Sequence, residues 1–381
     1  MRCFLFIIVC LFILFKPVFA QEIRGKVVDA ESGEPIRYAN IFLAGTSIGC
    51  ITDFNGEFLL RTKGNTTIPI VFSSVGYEIK TLSVPELQKS NVIKLIKSNF
   101  NIEEVNILSA KSGWSRAKMM RTFKEEFLGK SDNAQSCKIL NENDIYLFYN
   151  STTKTLHANS QKPIRIKNKM LSYLIEYQLE YFIMTETEVK FRGHAYFEEI
   201  SMLMGTHQER IIKNRHEAYI GSIMHCMRYF YNNNINDPDT IYDIRLVSLT
   251  NYYLRENIKV ITEKEKKQTI DISNLDTIDM GLPMEIKPEP IFNQFHIHDE
   301  NGNYLTKKAF LLDEMGKRKL CSQGKLRILF YQKFMSSYLV PKVNCIEIDK
   351  NGYYNPDEIS WSGSMSKKRI GDLLPFDFQS D

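Results

Sequence analysis

At 381 residues, with 43% hydrophobic and 25% charged side chains, the chain has the length of about two domains and a core-forming composition. Global disorder is excluded on that basis. The formal charge of +4 falls to +2 once Arg2 and Lys16 of the N-terminal leader are set aside, too weak for a nucleic-acid partner, which shows as a concentrated basic patch.

Residues 1–20 read as a signal peptide. Met1-Arg2 is a short positive region, Cys3 to Phe15 is apolar, and Val18-Phe19-Ala20 ends in a small residue before Gln21. The apolar run is shorter than the roughly 20 residues that span a bilayer, and no later stretch is long and apolar enough. The expectation is an exported chain in the periplasm, at the outer membrane or at the cell surface, with no transmembrane helix after cleavage. Cys50, Cys137, Cys226, Cys321 and Cys345 then remain, irregularly spaced and without a C-x-x-C pair. One or two bridges fit an oxidising compartment, but buried free thiols are the expected state.

Residues 21–108 carry β signals in series. Ile23 to Asp29 alternates, Ala30 to Pro35 is a turn cluster, and Tyr38 to Leu43 is the second strand. Ala44-Gly45-Thr46 turns into Ile48 to Thr52, and Asp53-Phe54-Asn55-Gly56 turns into Glu57 to Arg61. Ile68 to Ser74, Tyr77 to Val84 and Val92 to Ile96 follow. Val27, Ile41, Leu43, Phe58, Leu60, Val71, Phe72 and Tyr77 are the expected core. Asp53, Asn55 and Glu57 do not continue as a calcium loop, because the sixth and twelfth positions are Phe58 and Gly64.

GKVVDAESGEPIRYANIFLAGTSIGCITDFNGEFLL, IVFSSVGYEIKTLSV and NIEEVNIL resemble the carboxypeptidase-D regulatory-like domain of bacterial envelope proteins. The resemblance implies a seven-stranded, transthyretin-like β-sandwich with a docking or accessory role, not a peptidase.

Residues 109–114 read as a linker, and residues 115–381 as a larger α+β region rich in antiparallel strands, so the whole chain is expected to be mainly β with some α. Trp114 to Leu128 is a helix with Met119, Met120, Phe123 and Phe127 on its apolar side and Gly129 as a stop. Strands are expected at 145–149, 155–158, 164–166 and 173–184. Met184 to Tyr196 reads as an exposed antiparallel pair, and Glu209 to Tyr231 as one helix. Phe295 to His298 and Cys345 to Asp349 end in Asn-Gly turns. Arg369 to Phe378 is expected to pack back on the body. FKEEFLGKSDNAQSCKILNENDI, KNRHEAYIGSIMHCMRYFY and RIGDLLPFDF resemble an uncharacterised segment that follows the same sandwich in envelope proteins.

No peptidase motif is present: no His is followed by Glu three residues on, and H-E-x-x-H is absent. His296 and His298 share a strand face, but two ligands do not complete a zinc site. His225 and Cys226, adjacent on a helix, point about 100° apart and make a poor nucleophile pair. Arg215, Tyr219 and Ser222 lie near one helical face and are the candidate binding surface. No catalytic residue, cofactor or metal is expected. The function expected is a non-catalytic binding or accessory module for a protein or glycan partner at the outer membrane or periplasm. The alternative is a hydrolase of unfamiliar type in residues 115–381.

Overall fold

The computed structural model describes residues 21–62, 66–98, 113–200, 206–232, 295–303, 305, 307–314, 317–322, 324–330, 333 and 335–380. The leader, the NIEEVNIL segment and residues 109–112 of the linker lie outside the described residues. Two compact units result: Met1–Arg228 with Ile348–Tyr354 and Ser366–Asp381, and Tyr229–Glu347 with Asn355–Met365. The compositional boundary at 109–114 falls inside the first unit.

The first unit opens with seven strands: β1 (Gln21–Asp29), β2 (Asn40–Leu43), β3 (Gly49–Ile51), β4 (Glu57–Thr62), β5 (Ile70–Ser73), β6 (Lys80–Leu82) and β7 (Val92–Leu95). They form two sheets, β4-β1-β7 and β3-β2-β5-β6. Strand alternation sends Val27, Ile41, Phe58, Leu60 and Phe72 into one core, each at most 6% exposed, while Val71, paired with Phe42, is buried on the opposite face of its sheet. The chain is mainly β, and this sandwich has the strand number that the resemblance implied.

Turn chemistry fixes the connections. Asp53 Oδ1 accepts the backbone N–H groups of Asn55 (2.9 Å) and Glu57 (2.8 Å). Gly56 has φ +74°, and a Cβ there would stand 2.5 Å from the Val27 carbonyl oxygen, so only glycine fits. Asp-x-Asn-Gly recurs at 299–302 and 349–352, where Asp299 and Asp349 accept the N–H of Asn301 and Asn351 in the same way. The expected strand from Tyr77 to Val84 is a correction: it keeps only Lys80–Leu82, and α1 (Val84–Lys89) begins at once. Ser83 and Glu86 form a reciprocal capping box with Pro85 in the first turn, a signal legible in Ser83-x-x-Glu86.

Asp29 ties the sandwich together and is 3% exposed. The Ser32 backbone N–H, followed by the Tyr77 hydroxyl and the Glu31 N–H, holds its carboxyl well below the usual range despite burial. Its folded-state pKa thus lies below the unfolded value of 3.8. Its stabilisation is present above that value and is lost as pH falls through the folded pKa. Asp29→Asn is expected to flatten the acid limb of a stability–pH curve; an unchanged limb in acid-unfolding measurements refutes this.

The body of the first unit starts with α2 (Arg116–Leu128), capped by Ser115 Oγ, which accepts the Lys118 N–H, and followed by α3 (Asp132–Gln135). Six strands follow: β8 (Cys137–Ile139), β9 (Ile145–Asn150), β10 (Thr155–Ser160), β11 (Ile164–Asn168), β12 (Tyr173–Met184) and β13 (Val189–Glu199). Their order is β8-β11-β12-β10-β9, with β13 on β12. Phe123 meets Phe182 edge-on at 5.0 Å, and Phe127 meets Tyr177 at 5.1 Å, so α2 seals one sheet face. Met184 to Tyr196 is not a strand pair. The turn lies at 185–188, and β13 pairs with the longer β12, whose alternate residues Tyr173, Ile175, Tyr177 and Leu179 are all core. The single helix expected over Glu209–Tyr231 is two, α4 (Thr206–Tyr219) and α5 (Ile223–Asn232), because Gly221 takes φ +72° between them. Ile370 and Leu374 are buried in the body's core, so the tail packs back as expected.

The second unit carries β14 (Phe295–His298), α6 (Lys307–Phe310), β15 (Leu311–Glu314), β16 (Lys317–Cys321), β17 (Leu326–Phe330), β18 (Met335–Pro341), β19 (Cys345–Ile348) and β20 (Ile359–Gly363). The sheets are β14-β17-β18-β20 and β15-β16-β19. A disulfide joins Cys321 to Cys345, whereas Cys50, Cys137 and Cys226 are free. Free thiols at 321 and 345 are thus corrected: sheet pairing brings Cα atoms 24 residues apart in sequence to 4.1 Å.

Candidate functional site

The functional candidate is the outer face of the six-stranded sheet, opposite α2. Since Tyr177 and Leu179 point to the core, Glu176 and Gln178 point away from it, and Arg192, His194 and Tyr196 share their face on β13. The ladder shifts between Leu179↔Gly193 and Tyr181↔Arg192, leaving Glu180 as the extra residue of a β-bulge. The bulge aims Glu180 between two nitrogen-bearing side chains: Arg192 Nε lies at 2.9 Å and His194 Nε2 at 3.0 Å. Gly193 permits this geometry, because a Cβ there would be 2.2 Å from the Gln178 carbonyl oxygen.

The sandwich is fastened beside this strip by backbone hydrogen bonds. Gly45 N donates to Ala195 O (2.7 Å), Phe197 N to Thr46 O (3.0 Å) and Phe376 N to Gly45 O (2.7 Å). Phe42 packs on Tyr196 with ring centroids 5.5 Å apart. A cavity of about 190 Å³ remains between the two layers, lined among others by Asn40, Phe42, Gly49, Cys50, Glu176 and Tyr196.

Burial sets the electrostatics of the cavity residues Glu176 and Cys50 and of the strip beside them. It raises the Glu176 carboxyl, against the Arg165 charge 3.6 Å away. Burial also acts to raise Glu180, but the neighbouring His194 and Arg192 side chains hold it below its ordinary value. The Cys50 thiol is pushed up to about 11 by burial and stays protonated at neutral pH, so it is a poor nucleophile. Gln178 is 5% exposed, and its Nε2 lacks a hydrogen-bond partner among the described residues. An unpaired buried donor on a face bearing carboxylates and a phenol is suited to hold a polar ligand or water.

Arg215, Tyr219 and Ser222 do not form the expected surface. Arg215 is 7% exposed and its guanidinium lies 4.0 Å over the Tyr173 ring. Its Nε donates to Leu171 O (2.8 Å) and its Nη1 to Glu199 Oε1 (2.7 Å). Tyr219 is 9% exposed, packed 4.8 Å from the His225 ring. Ser222 lies past the helix break, where its Oγ caps α5 by accepting the His225 N–H (3.1 Å). Cys226 is fully buried and its thiol pKa is raised by that burial. His296 is buried on β14, and burial lowers the pKa of His298. Among the described residues, no three His, Cys, Asp or Glu side chains converge as a metal site.

The Gln178–Glu180–Arg192–His194 strip was missed at the sequence level, since a bulge exists only in cross-strand register. Gly193 inside an alternating run is the one local signal of it.

Residues 23–107 match the family model described as the CarboxypepD_reg-like domain. The TonB-dependent receptor SusC of Bacteroides thetaiotaomicron is 41% identical over 76 residues. That similarity covers 20% of this chain and spans 7% of the receptor's length.

Proposed function

Taking residues 23–107 as a CarboxypepD_reg-like domain, we propose that the protein is an exported, non-catalytic binding module of the bacterial envelope. It holds a protein or glycan partner at the cleft between its sandwich and its six-stranded sheet. The observation that carries this reading is the fastening of Gly45 and Thr46 onto β13 beside the unpaired Gln178 amide. Walls joined by backbone hydrogen bonds are preorganised, so a ligand bears little of the ordering cost. The Cys321–Cys345 bond supports an oxidising compartment. The similarity to an outer-membrane receptor and the leader read in residues 1–20 support export to the envelope. Among the described residues, no helix is long and apolar enough to cross a membrane.

Gln178→Leu tests the strip next to Glu176, the β12 residue that lines the cleft. It removes a donor that has no partner among the described residues, so the expected melting temperature is unchanged or higher. Binding of the partner recovered from envelope extracts is expected to fall about tenfold, which is about 1.4 kcal/mol. A wild-type chain that recovers no protein and binds no glycan would sink the reading. Stoichiometric zinc retained through dialysis would favour the hydrolase alternative.

A further inference from the structure

The sandwich carries a second feature, none of whose residues lines the cleft. Tyr38 and Phe54 are 56% and 63% exposed, although large aromatic side chains are ordinarily well buried. Their rings meet at 71° with centroids 5.5 Å apart, making an open corner. The Arg37 guanidinium stands 5.7 Å from the Phe54 centroid and has no ion-pair partner among the described residues.

Both rings are held on rigid turns. Tyr38 sits at φ +55°, a left-handed conformation that costs a non-glycine residue about 1 kcal/mol or more. It is pinned there by its N–H donating to Thr52 O (3.1 Å), while Thr52 Oγ1 donates to Ile36 O (2.7 Å) and accepts the Ala39 N–H (2.8 Å). Phe54 rides on the Asp53 turn, whose carboxylate is engaged by two backbone N–H groups. Strain retained at Tyr38, whose ring is exposed against that of Phe54, is evidence for use of the pair, because burial does not repay it.

The geometry points to a saccharide platform: a pyranose ring of a neutral oligosaccharide stacks its C–H face in the Tyr38–Phe54 corner. The Arg37 guanidinium, the Tyr38 hydroxyl and the Asn55 amide, exposed at the rim, hydrogen-bond its hydroxyls. Two exposed rings offer on the order of a few hundred Å², well short of the roughly 800 Å² per partner of a stable protein interface. A single sugar ring fits that area. The inference rests on the binding-module reading for a glycan as partner, but its residues are distinct from the cleft's.

The test is calorimetric titration of the full mature chain with hexasaccharides of glucose, mannose, xylose and N-acetylglucosamine. One of them is expected to bind. Phe54→Ala and Tyr38→Gly are each expected to weaken it at least about tenfold, and Val75→Ala, at an exposed aliphatic position of the sandwich, to leave it unchanged. Tyr38→Gly keeps the fold, because glycine adopts φ +55° freely, and its melting temperature is expected not to fall. No binding by any of the four at millimolar concentration overturns the platform. So does binding that both ring variants retain, or a patch that captures a protein and no sugar. Loss in Gln178→Leu alone overturns it while upholding the cleft.

Discussion

Arg215→Ala is expected to destabilise the first unit by about 3 kcal/mol. The guanidinium bonds the Leu171 carbonyl through Nε and reaches the Ser172 carbonyl (3.4 Å) through Nη2. Truncation leaves these acceptors beside a fully buried Leu171, at about 1–3 kcal/mol for each buried group left unpaired. The Tyr173 ring also loses a cation 4.0 Å from its centroid. Glu199 adds little, because its side chain is 49% exposed and returns to water. Arg215→Lys is expected to recover less than half, since one ammonium cannot reproduce a planar fork aimed at two carbonyls and a carboxylate. Urea unfolding followed by circular dichroism reads the effect directly. A midpoint unchanged in Arg215→Ala would show that the guanidinium is not the tie between α4 and the turn at 171–172.

Cys321→Ser is expected to cost the second unit about 3.5 kcal/mol, the loop-closure value for a bridge across 24 residues. Reductant should lower the wild-type melting transition to that of the variant and leave the variant unmoved. Denaturing the oxidised chain of residues 21–381 should expose three titratable thiols, those of Cys50, Cys137 and Cys226. Five thiols, or a wild-type transition indifferent to reductant, would remove the bond and with it one support for export.

Local sequence was enough for the sandwich. Its strands alternate with period two, and its turns use Gly and Asn-Gly where positive φ is required, so Val27, Ile41, Leu60 and Phe72 could be placed in the core from pattern alone. The α2 helix was equally legible from its apolar side and Gly129 stop. Helix α1 could have been found from Ser83 and Glu86, but the apolar alternation preceding it competed with the cap.

The candidate site was not legible, because each of its parts depends on register or on contact between distant segments. Glu180 joins Arg192 and His194 only because one residue is extra in β12. Arg215 looked like a surface group because helical spacing shows which residues share a face, not which face is covered; the 171–172 turn that covers it lies about 44 residues earlier. The Cys321–Cys345 pair follows from strand order in the same way. Composition and periodicity therefore determined the fold class, the sandwich core and the turns, all set by interactions within a few residues. Tertiary structure alone decided which polar groups meet and which stay exposed, since those are set by packing between segments that no local pattern encodes.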